Sequence, residues 1–363
     1  MKYPFMIWCS SAVVLAAMVS SVAGAETRYR VQDLGDLTGP TVEGFAVPNG
    51  INDKGEVVGE TMNDLQNENS FLRGFLWRRG HLIDLGILAP RGGVIAQGVN
   101  NRSVVVGLAS VPEVAGAGFR WKKGVMTDIG FLPNSGITHA YDINNRGQIV
   151  GDSRFLRSPT EAFLYEQGVI MSLGSLPGGS FDTTARAIND RGEIVGGTNT
   201  VNGPRAYLWR EGVMSDLGVP TGSPTKPFTA AFAFDINNRG QVVGVVNDGL
   251  IARAVVWQKG HVTVLPSLPN ATITAARAIN ERQQIVGVSS SPMDGSVAVI
   301  WEHGVPMQLM MRANDPSAGY VTLEEAKGIN ERGQIIARGF DSRLGFGARA
   351  YLLTPVRIRG DRD

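Results

Sequence analysis

The chain has 363 residues, and its 34 Lys and Arg against 33 Asp and Glu leave a formal net charge of +1. Such a balance creates no overall field that would attract nucleic acid or an anionic membrane, so a polyanionic partner would need a local cluster of charge. Glycine accounts for 46 residues, which is about twice the usual share. A hydrophobic fraction of 43% excludes a disordered chain and indicates a turn-rich, globular one.

The first 25 residues have the organisation of a secretory signal peptide. Lys2 precedes an apolar stretch over about residues 4–19, and small residues lead to Ala25. The apolar stretch is shorter than the ~20 residues of a membrane span, although a retained N-terminal anchor is the alternative. We therefore predict cleavage after Ala25, export to the periplasm or the medium, and one mature domain over residues 26–363.

The only cysteine, Cys9, lies within this segment. A mature chain without thiols excludes disulfides, zinc sites with thiolate ligands and cysteine nucleophiles. The rest of the sequence contains no motif for a metal or a cofactor, so we expect neither.

One sequence motif of the type A-x-x-I-N-x-x-G-x-I-V-G recurs seven times after the signal segment. Its asparagines are Asn52, Asn100, Asn144, Asn189, Asn237, Asn280 and Asn330. A second motif, of the A-F-L-W type and followed by a turn that contains glycine, comes after each of the first six copies. Five of the six tryptophans of the chain occupy one position of this second motif, namely Trp77, Trp121, Trp209, Trp257 and Trp301. We expect these side chains to be largely buried between neighbouring repeats, since aromatic residues carry large burial areas.

Each repeat is predicted to form four short strands. In the fourth copy the strands span residues 184–189, 193–198, 205–210 and 213–217, and Glu211-Gly212 forms the last hairpin turn. Four strands at a period of ~45 residues are typical of one blade of a β-propeller.

The two ends of the chain complement each other. The seventh copy has its third strand at residues 349–353 but lacks the fourth, while residues 30–35 form an orphan fourth strand before the first copy. Pairing the two predicts an all-β fold, a seven-bladed β-propeller of four-stranded blades whose last blade is closed by the N-terminal strand. A linear β-solenoid is the alternative, but it has no need of complementary ends.

In these two motifs and in the segment from Leu173 to Gly179, the sequence resembles the HAF-repeat bacterial extracellular proteins, and the resemblance covers essentially the whole mature chain. The resemblance implies export and a repeat architecture, and it supplies no established chemistry. The eponymous His-Ala-Phe is replaced here, for example by Glu161-Ala162-Phe163, so no ring of histidines is carried over.

Antiparallel strands place the turns between first and second and between third and fourth strands on one face. The remaining connections fall on the other face, where they vary in length and composition. We expect recognition on this variable-loop face, because binding residues are commonly carried by diverse loops on a rigid frame.

The position three residues before each repeat asparagine should lie near the axis of the propeller. These axial positions are Asn49, Gln97, Tyr141, Arg186, Phe234, Arg277 and Lys327. All of them except Phe234 are candidates for binding a carboxylated or sulfated sugar, or another anion, because three are cationic and three are polar. Alternatively, the cations pair with acids on neighbouring blades, such as Asp142 and Asp235.

Recognised catalytic motifs are absent from the sequence: it has no Gly-x-Ser-x-Gly elbow, no His-Glu-x-x-His and no phosphate or calcium loop. His139 and Tyr141 are the catalytic candidates, since a His/Tyr pair beside an Arg could remove a proton next to a uronic carboxylate. Residues 152–154 and 247–248, at the ends of second strands, could bind a ligand or solvate their loops.

Two functions remain open from the sequence. The first is a secreted, non-enzymatic binding module, a monomer whose partner is an acidic polysaccharide or an envelope or extracellular protein, with no nucleic acid and no membrane span. The second is an extracellular carbohydrate-active enzyme using the same face. A lyase fits better than a hydrolase, which needs two carboxylates about 5–10 Å apart.

Overall fold

A computed structural model describes residues 27–37, 45–62, 71–111, 114–154, 159–221, 227–313, 319–345 and 347–356. The predicted signal peptide lies outside these residues. Within them, no helix has the length and apolar character needed to cross a membrane.

The described chain is all-β, with 28 strands and one short 3₁₀ helix. The strands of the first half are β1 (Arg28–Asp33), β2 (Ala46–Ile51), β3 (Val57–Met62), β4 (Leu72–Arg78), β5 (His81–Asp84), β6 (Val94–Val99), β7 (Val105–Val111), β8 (Val114–Lys122), β9 (Val125–Asp128), β10 (Ile137–Ile143), β11 (Ile149–Arg154), β12 (Glu161–Glu166), β13 (Val169–Ser172) and β14 (Gly179–Ile188). Those of the second half are β15 (Ile194–Thr200), β16 (Gly203–Arg210), β17 (Val213–Asp216), β18 (Ala230–Ile236), β19 (Val242–Asn247), β20 (Ala252–Gln258), β21 (His261–Val264), β22 (Ile273–Ile279), β23 (Ile285–Ser291), β24 (Gly295–Glu302), β25 (Val305–Gln308), β26 (Val321–Ile329), β27 (Ile335–Asp341) and β28 (Arg349–Val356), with the helix at Leu309–Arg312.

The strands form antiparallel groups of four that follow the sequence repeat. Groups 1 to 6 are β2–β5, β6–β9, β10–β13, β14–β17, β18–β21 and β22–β25, and group 7 consists of β26–β28 with β1. Groups 1, 4 and 7 are separate sheets. Groups 2 and 3 share an eight-stranded sheet through one parallel pair, Gly116 with Ile137, and groups 5 and 6 do so through Ala252 with Ile273.

The N-terminal strand completes group 7. β1 pairs antiparallel with β28 from Arg28 opposite Val356 to Asp33 opposite Tyr351. Tyr29 is fully buried in this position. The group therefore obtains its fourth strand from the other end of the chain.

The core consists of seven hydrophobic clusters, each of which joins two consecutive groups, and one of them joins group 7 to group 1. Four of the five repeat tryptophans are 7% exposed or less, as expected: Trp77, Trp121, Trp257 and Trp301. Trp209 differs, because it is only half-buried and packs at the edge of the cluster between groups 3 and 4.

A β-bulge interrupts the first strand of every group three residues before its asparagine. The bulged residues are the seven axial positions, and a bulge leaves its residue without a pairing partner and re-aims the side chain. The bulge also drives a carbonyl against the second strand. An ideal Cβ on Gly59 would lie 2.0 Å from Val47 O, which explains why the motif ends in glycine. In group 7 a second bulge moves this close approach to Gly339, and the motif position carries Ala337.

Candidate functional site

A closed ring of hydrogen bonds joins the seven repeat asparagines. The Nδ2 of each donates to the main-chain carbonyl of the equivalent asparagine in the next group, at 2.9–3.2 Å, and Asn330 donates to Asn52 O. Each Oδ1 accepts the main-chain N–H groups two and four residues later, as Asn189 does from Arg191 and Glu193. The asparagine thus holds its own turn and ties it to the neighbouring group.

A second closed ring of hydrogen bonds involves the residue directly after each repeat asparagine, whose side chain is the acceptor. Each accepts the main-chain N–H of the equivalent residue in the preceding group, at 2.5–3.0 Å. The members are Asp53, Asn101, Asn145, Asp190, Asn238, Glu281 and Glu331.

The two rings line a cavity of about 190 Å³. Burial, with the nearby carboxylates of Asp53 and Glu281, raises the pKa of Glu331. No cluster of His, Cys, Asp or Glu among the described residues could hold a metal ion.

The axial residues of groups 6, 7 and 1 are joined by an ion pair and by side-chain hydrogen bonds, called the paired network below. Arg277 Nε lies 2.6 Å from Glu325 Oε1, and Lys327 Nζ donates to Asn49 Oδ1 at 2.7 Å. Asn49 Nδ2 in turn lies 3.2 Å from Glu60 Oε2. Burial lowers the pKa of Lys327, against the opposing effect of Glu325 and Glu60. Two of the three predicted anion-binding cations are therefore engaged by side chains of the protein itself.

The acids proposed as partners for these cations have another role. Asp142 Oδ2 accepts the N–H of Ile188 in the next group at 2.9 Å, and Asp235 Oδ2 accepts that of Ile279 at 2.9 Å. The alternative that axial cations pair with acids of neighbouring groups holds for Arg277, whose partner Glu325 lies in group 7. Asp142 and Asp235, the acids named as examples, bind main-chain N–H groups instead. Each of the two aspartates therefore forms a hydrogen bond that joins its own group to the next one.

Arg186 stands apart from the paired network. Its side chain is exposed, and its Cζ lies 4.5 Å from the centroid of the Tyr141 ring. It borders a cavity of about 320 Å³ between groups 4 and 5, which Phe232, Phe234, Asp182 and Asn199 also line. The cavity, called the Arg186 pocket below, thus combines a guanidinium, two half-buried aromatic rings and amide and carboxylate groups. Gln97, the remaining polar axial candidate, is half-buried in group 2.

His139 and Tyr141 are brought together with a third residue. The His139 Nδ1 lies 3.2 Å from Tyr141 Oη and 3.4 Å from Asp152 Oδ1. Burial lowers the pKa of His139 although Asp152 opposes this, and burial raises the pKa of Tyr141 and that of Asp152. Imidazole and phenol are therefore both uncharged near neutral pH. The arrangement can accept a proton at one ring and donate one at the other.

From the sequence, Asp152 was named only as part of residues 152–154, a segment at the end of a second strand that could bind a ligand or solvate its loop. Its register opposite His139 across the β10–β11 pair brings the two side chains together, and the pairing of first and second strands could have indicated this. The neighbouring Ser153 is buried and donates to Ile137 O. Asp248, the other second-strand acid considered, accepts the N–H groups of Leu250 and Ile251 and so shapes its own loop.

No protein-family model and no curated protein matches this sequence. Among solved structures, a puromycin hydrolase is 11% identical over 87% of this chain with a TM-score of 0.51, and the chain spans 52% of it. TolB from Acinetobacter baumannii is 12% identical over 84% of the chain, with 65% of TolB covered and a TM-score of 0.45. The β-propeller domain of the Trilobed protease from Pyrococcus furiosus is 8% identical over 73% of the chain, with 95% of that domain covered and a TM-score of 0.39. At these identities the likeness concerns the fold alone, and the described chain is all-β.

Proposed function

We propose that the seven groups are the blades of a closed seven-bladed β-propeller, exported as residues 26–363 and similar to the HAF-repeat extracellular proteins. Two features support closure. Both side-chain rings return from group 7 to group 1, and β1 supplies the fourth strand of group 7. A closed ring leaves no repeat face without a neighbour, which suits a monomeric module.

The function that this frame supports best is binding without catalysis, with an acidic glycan as the ligand. The Arg186 pocket carries this proposal. Aromatic rings offer flat apolar faces to a sugar ring, and amide and carboxylate groups bind hydroxyls. A guanidinium suits a carboxylate or a sulfate because its donors form a planar fork. Arg186 is the axial cation best placed for this role, since Arg277 and Lys327 already contact Glu325 and Asn49.

The test is retention of the purified protein on an immobilised polyuronate, with a neutral polysaccharide as reference. Arg186→Gln should weaken retention by about 10- to 100-fold, because a charge-assisted contact contributes about 1.5–3 kcal/mol. Raising the salt concentration should reproduce part of this loss. Arg338→Gln is the control, since it removes an exposed arginine of group 7 that pairs with Glu324 and does not line the Arg186 pocket. Equal retention of both variants would contradict the proposal, and retention on an extracellular protein but on neither polymer would replace the glycan by a protein partner.

A second candidate function, a polysaccharide lyase, is favoured by one observation, the contact of His139 with Tyr141 and Asp152 beside Arg186. In such a reaction His139 takes the proton from the carbon next to the uronate carboxyl. The bond to the leaving oxygen then breaks, a carbon–carbon double bond forms, and Tyr141 gives its phenolic proton to that oxygen. Arg186 would neutralise the carboxylate.

New unsaturated ends, measured by their ultraviolet absorbance during incubation with the polyuronate, distinguish the two functions. Activity that His139→Ala removes while retention persists would establish the lyase. Retention without unsaturated ends would leave a binding module.

A further inference from the structure

The turns that follow the repeat asparagines carry a basic residue at the same position in all seven groups. These residues are Lys54, Arg102, Arg146, Arg191, Arg239, Arg282 and Arg332, and every one is exposed. They lie on the face of the two asparagine-turn rings, opposite the variable loops. We call it the Asn-turn face.

In several groups these cations have local partners. Arg146 donates to Gln148 Oε1 at 2.6 Å, and Arg191 lies 2.6 Å from Glu193 Oε2. Arg239 lies 3.6 Å from Glu281 of the next group. For these groups, a structural role within the turn accounts for the basic residue.

Groups 1 and 2 differ because their second hairpin turns are basic as well. The last residue of the third strand and the residue after it are Arg78 and Arg79 in group 1, and Lys122 and Lys123 in group 2, all exposed. The same two positions in the next four groups include acids or amides, namely Glu166-Gln167, Arg210-Glu211, Gln258-Lys259 and Glu302-His303. The repeat pattern alone therefore does not require these four cations.

Few carboxylates offset the charge on this part of the face. Group 1 contributes Asp53 and Glu56, whereas group 2 has Asn101 and Val104 at the corresponding positions. Asp53 Oδ2 already accepts from Asn101 Nδ2 at 2.6 Å. The turns of groups 1 and 2 thus present six exposed cations against two carboxylates, while the whole chain has a net charge of only +1.

The turns of the two groups adjoin through the buried carboxylate of Glu56. Ser103 Oγ, next to Arg102 in group 2, donates to Glu56 Oε2 at 2.7 Å. Arg78 Nη1 of group 1 lies 3.5 Å from Glu56 Oε1. The cations therefore form one local patch, the kind of cluster that a chain without an overall field needs to hold a polyanion.

From this placement we infer that the Asn-turn face of groups 1 and 2 docks the protein on an anionic lipid surface. The cations stand on short turns rather than along the walls of a groove, which favours a broad charged surface over a single bound chain. Their long stems reach towards headgroup phosphates, and Val125, 63% exposed beside Lys122 and Lys123, adds an apolar contact. The proposed glycan site lies on the other face, so both ligands can bind at once.

The test is co-sedimentation with vesicles of phosphatidylglycerol and phosphatidylcholine, compared with phosphatidylcholine alone. The test variant combines Arg102→Gln, Lys122→Gln and Lys123→Gln. The last two have natural precedents, since Gln258 and Gln167 occupy the same turn positions in groups 5 and 3. Each basic residue lost should lower partition about fivefold, so the triple variant should bind about 100-fold more weakly.

The matched control combines Arg239→Gln, Lys259→Gln and Arg282→Gln, which removes three cations from the same face in groups 5 and 6. Wild type and control should bind anionic vesicles alike and should ignore neutral ones. Equal loss in both triple variants would overturn the inference, because net charge rather than the patch would then control binding. Binding of dextran sulfate without binding of vesicles would also overturn it and would assign the patch to a soluble polyanion.

Discussion

Residues on the Asn-turn face are equivalent in all seven groups, whereas the axial residues of the same first strands differ from group to group. On the Asn-turn face, equivalent residues of all seven groups make equivalent bonds, and the asparagine and its successor tie each group to the next. Three residues earlier along each first strand, the axial positions differ from group to group and include an amide, a phenol, a phenyl ring and cations. Uniform positions maintain the assembly, whereas divergent positions are free to form a local site.

This division has one exception. The basic turns of groups 1 and 2 lie on the uniform face, yet they depart from the composition of the other groups. Departure from the repeat, rather than the repeat itself, therefore marks both proposed sites.

The largest expected effect comes from removing β1, because the rings close only if group 7 is complete. Deletion of residues 27–35 should abolish cooperative unfolding or cause aggregation. It exposes the edge of β28 and removes the buried Tyr29, and loss of one such aromatic side chain typically costs about 3–5 kcal/mol. Thermal unfolding followed by circular dichroism is the measurement. A peptide of residues 27–36 added in trans should restore part of the stability, and a wild-type transition without it would refute closure by β1.

A smaller effect is expected from opening the asparagine ring at one place. Asn189→Ala removes donations to Asn237 O and to Glu193, together with the acceptor of two main-chain N–H groups. Because buried groups are left unsatisfied, the free energy of unfolding should fall by about 3–5 kcal/mol. Urea denaturation measures this loss. The control is Asn202→Ala on an exposed loop turn, which should change stability by less than about 0.5 kcal/mol; similar losses in both would show that the ring contributes little.

Much of this architecture could be predicted from the sequence, because a repeated pattern reports the same local physics seven times. The strands of the fourth copy, predicted at 193–198 and 213–217, are observed at Ile194–Thr200 and Val213–Asp216. The pairing of the chain ends followed from one missing and one orphan strand, and β1 does pair with β28.

Side-chain partners were less predictable, since they depend on neighbours far apart in sequence. Arg186 and Arg277 occupy the same repeat position, but only Arg277 has Glu325 beside it, 48 residues further along the chain. Asp142 and Asp235, named from the sequence as examples of acids that pair with the cations, instead accept main-chain N–H groups of the next group. Trp209 shares a repeat position with four buried tryptophans and is still only half-buried. Such differences arise from the packing of each interface.

The smallest effect concerns Asp235, which lies between the two faces on the first strand of group 5. Burial raises the pKa of its carboxyl to about 7, although the N–H groups of Ile279 and Ile236 stabilise the ionised form. A carboxyl whose pKa is raised on folding binds its proton more tightly in the folded state. Stability from this group is therefore highest at low pH, falls as the pH rises from about 4 to about 7, and then levels off. Asp235→Asn should flatten this part of a plot of unfolding free energy against pH, whose total change at this site is a few kcal/mol at most. Asp294→Asn on an exposed loop is the control. An unchanged slope in Asp235→Asn would show that folding does not raise the pKa of Asp235.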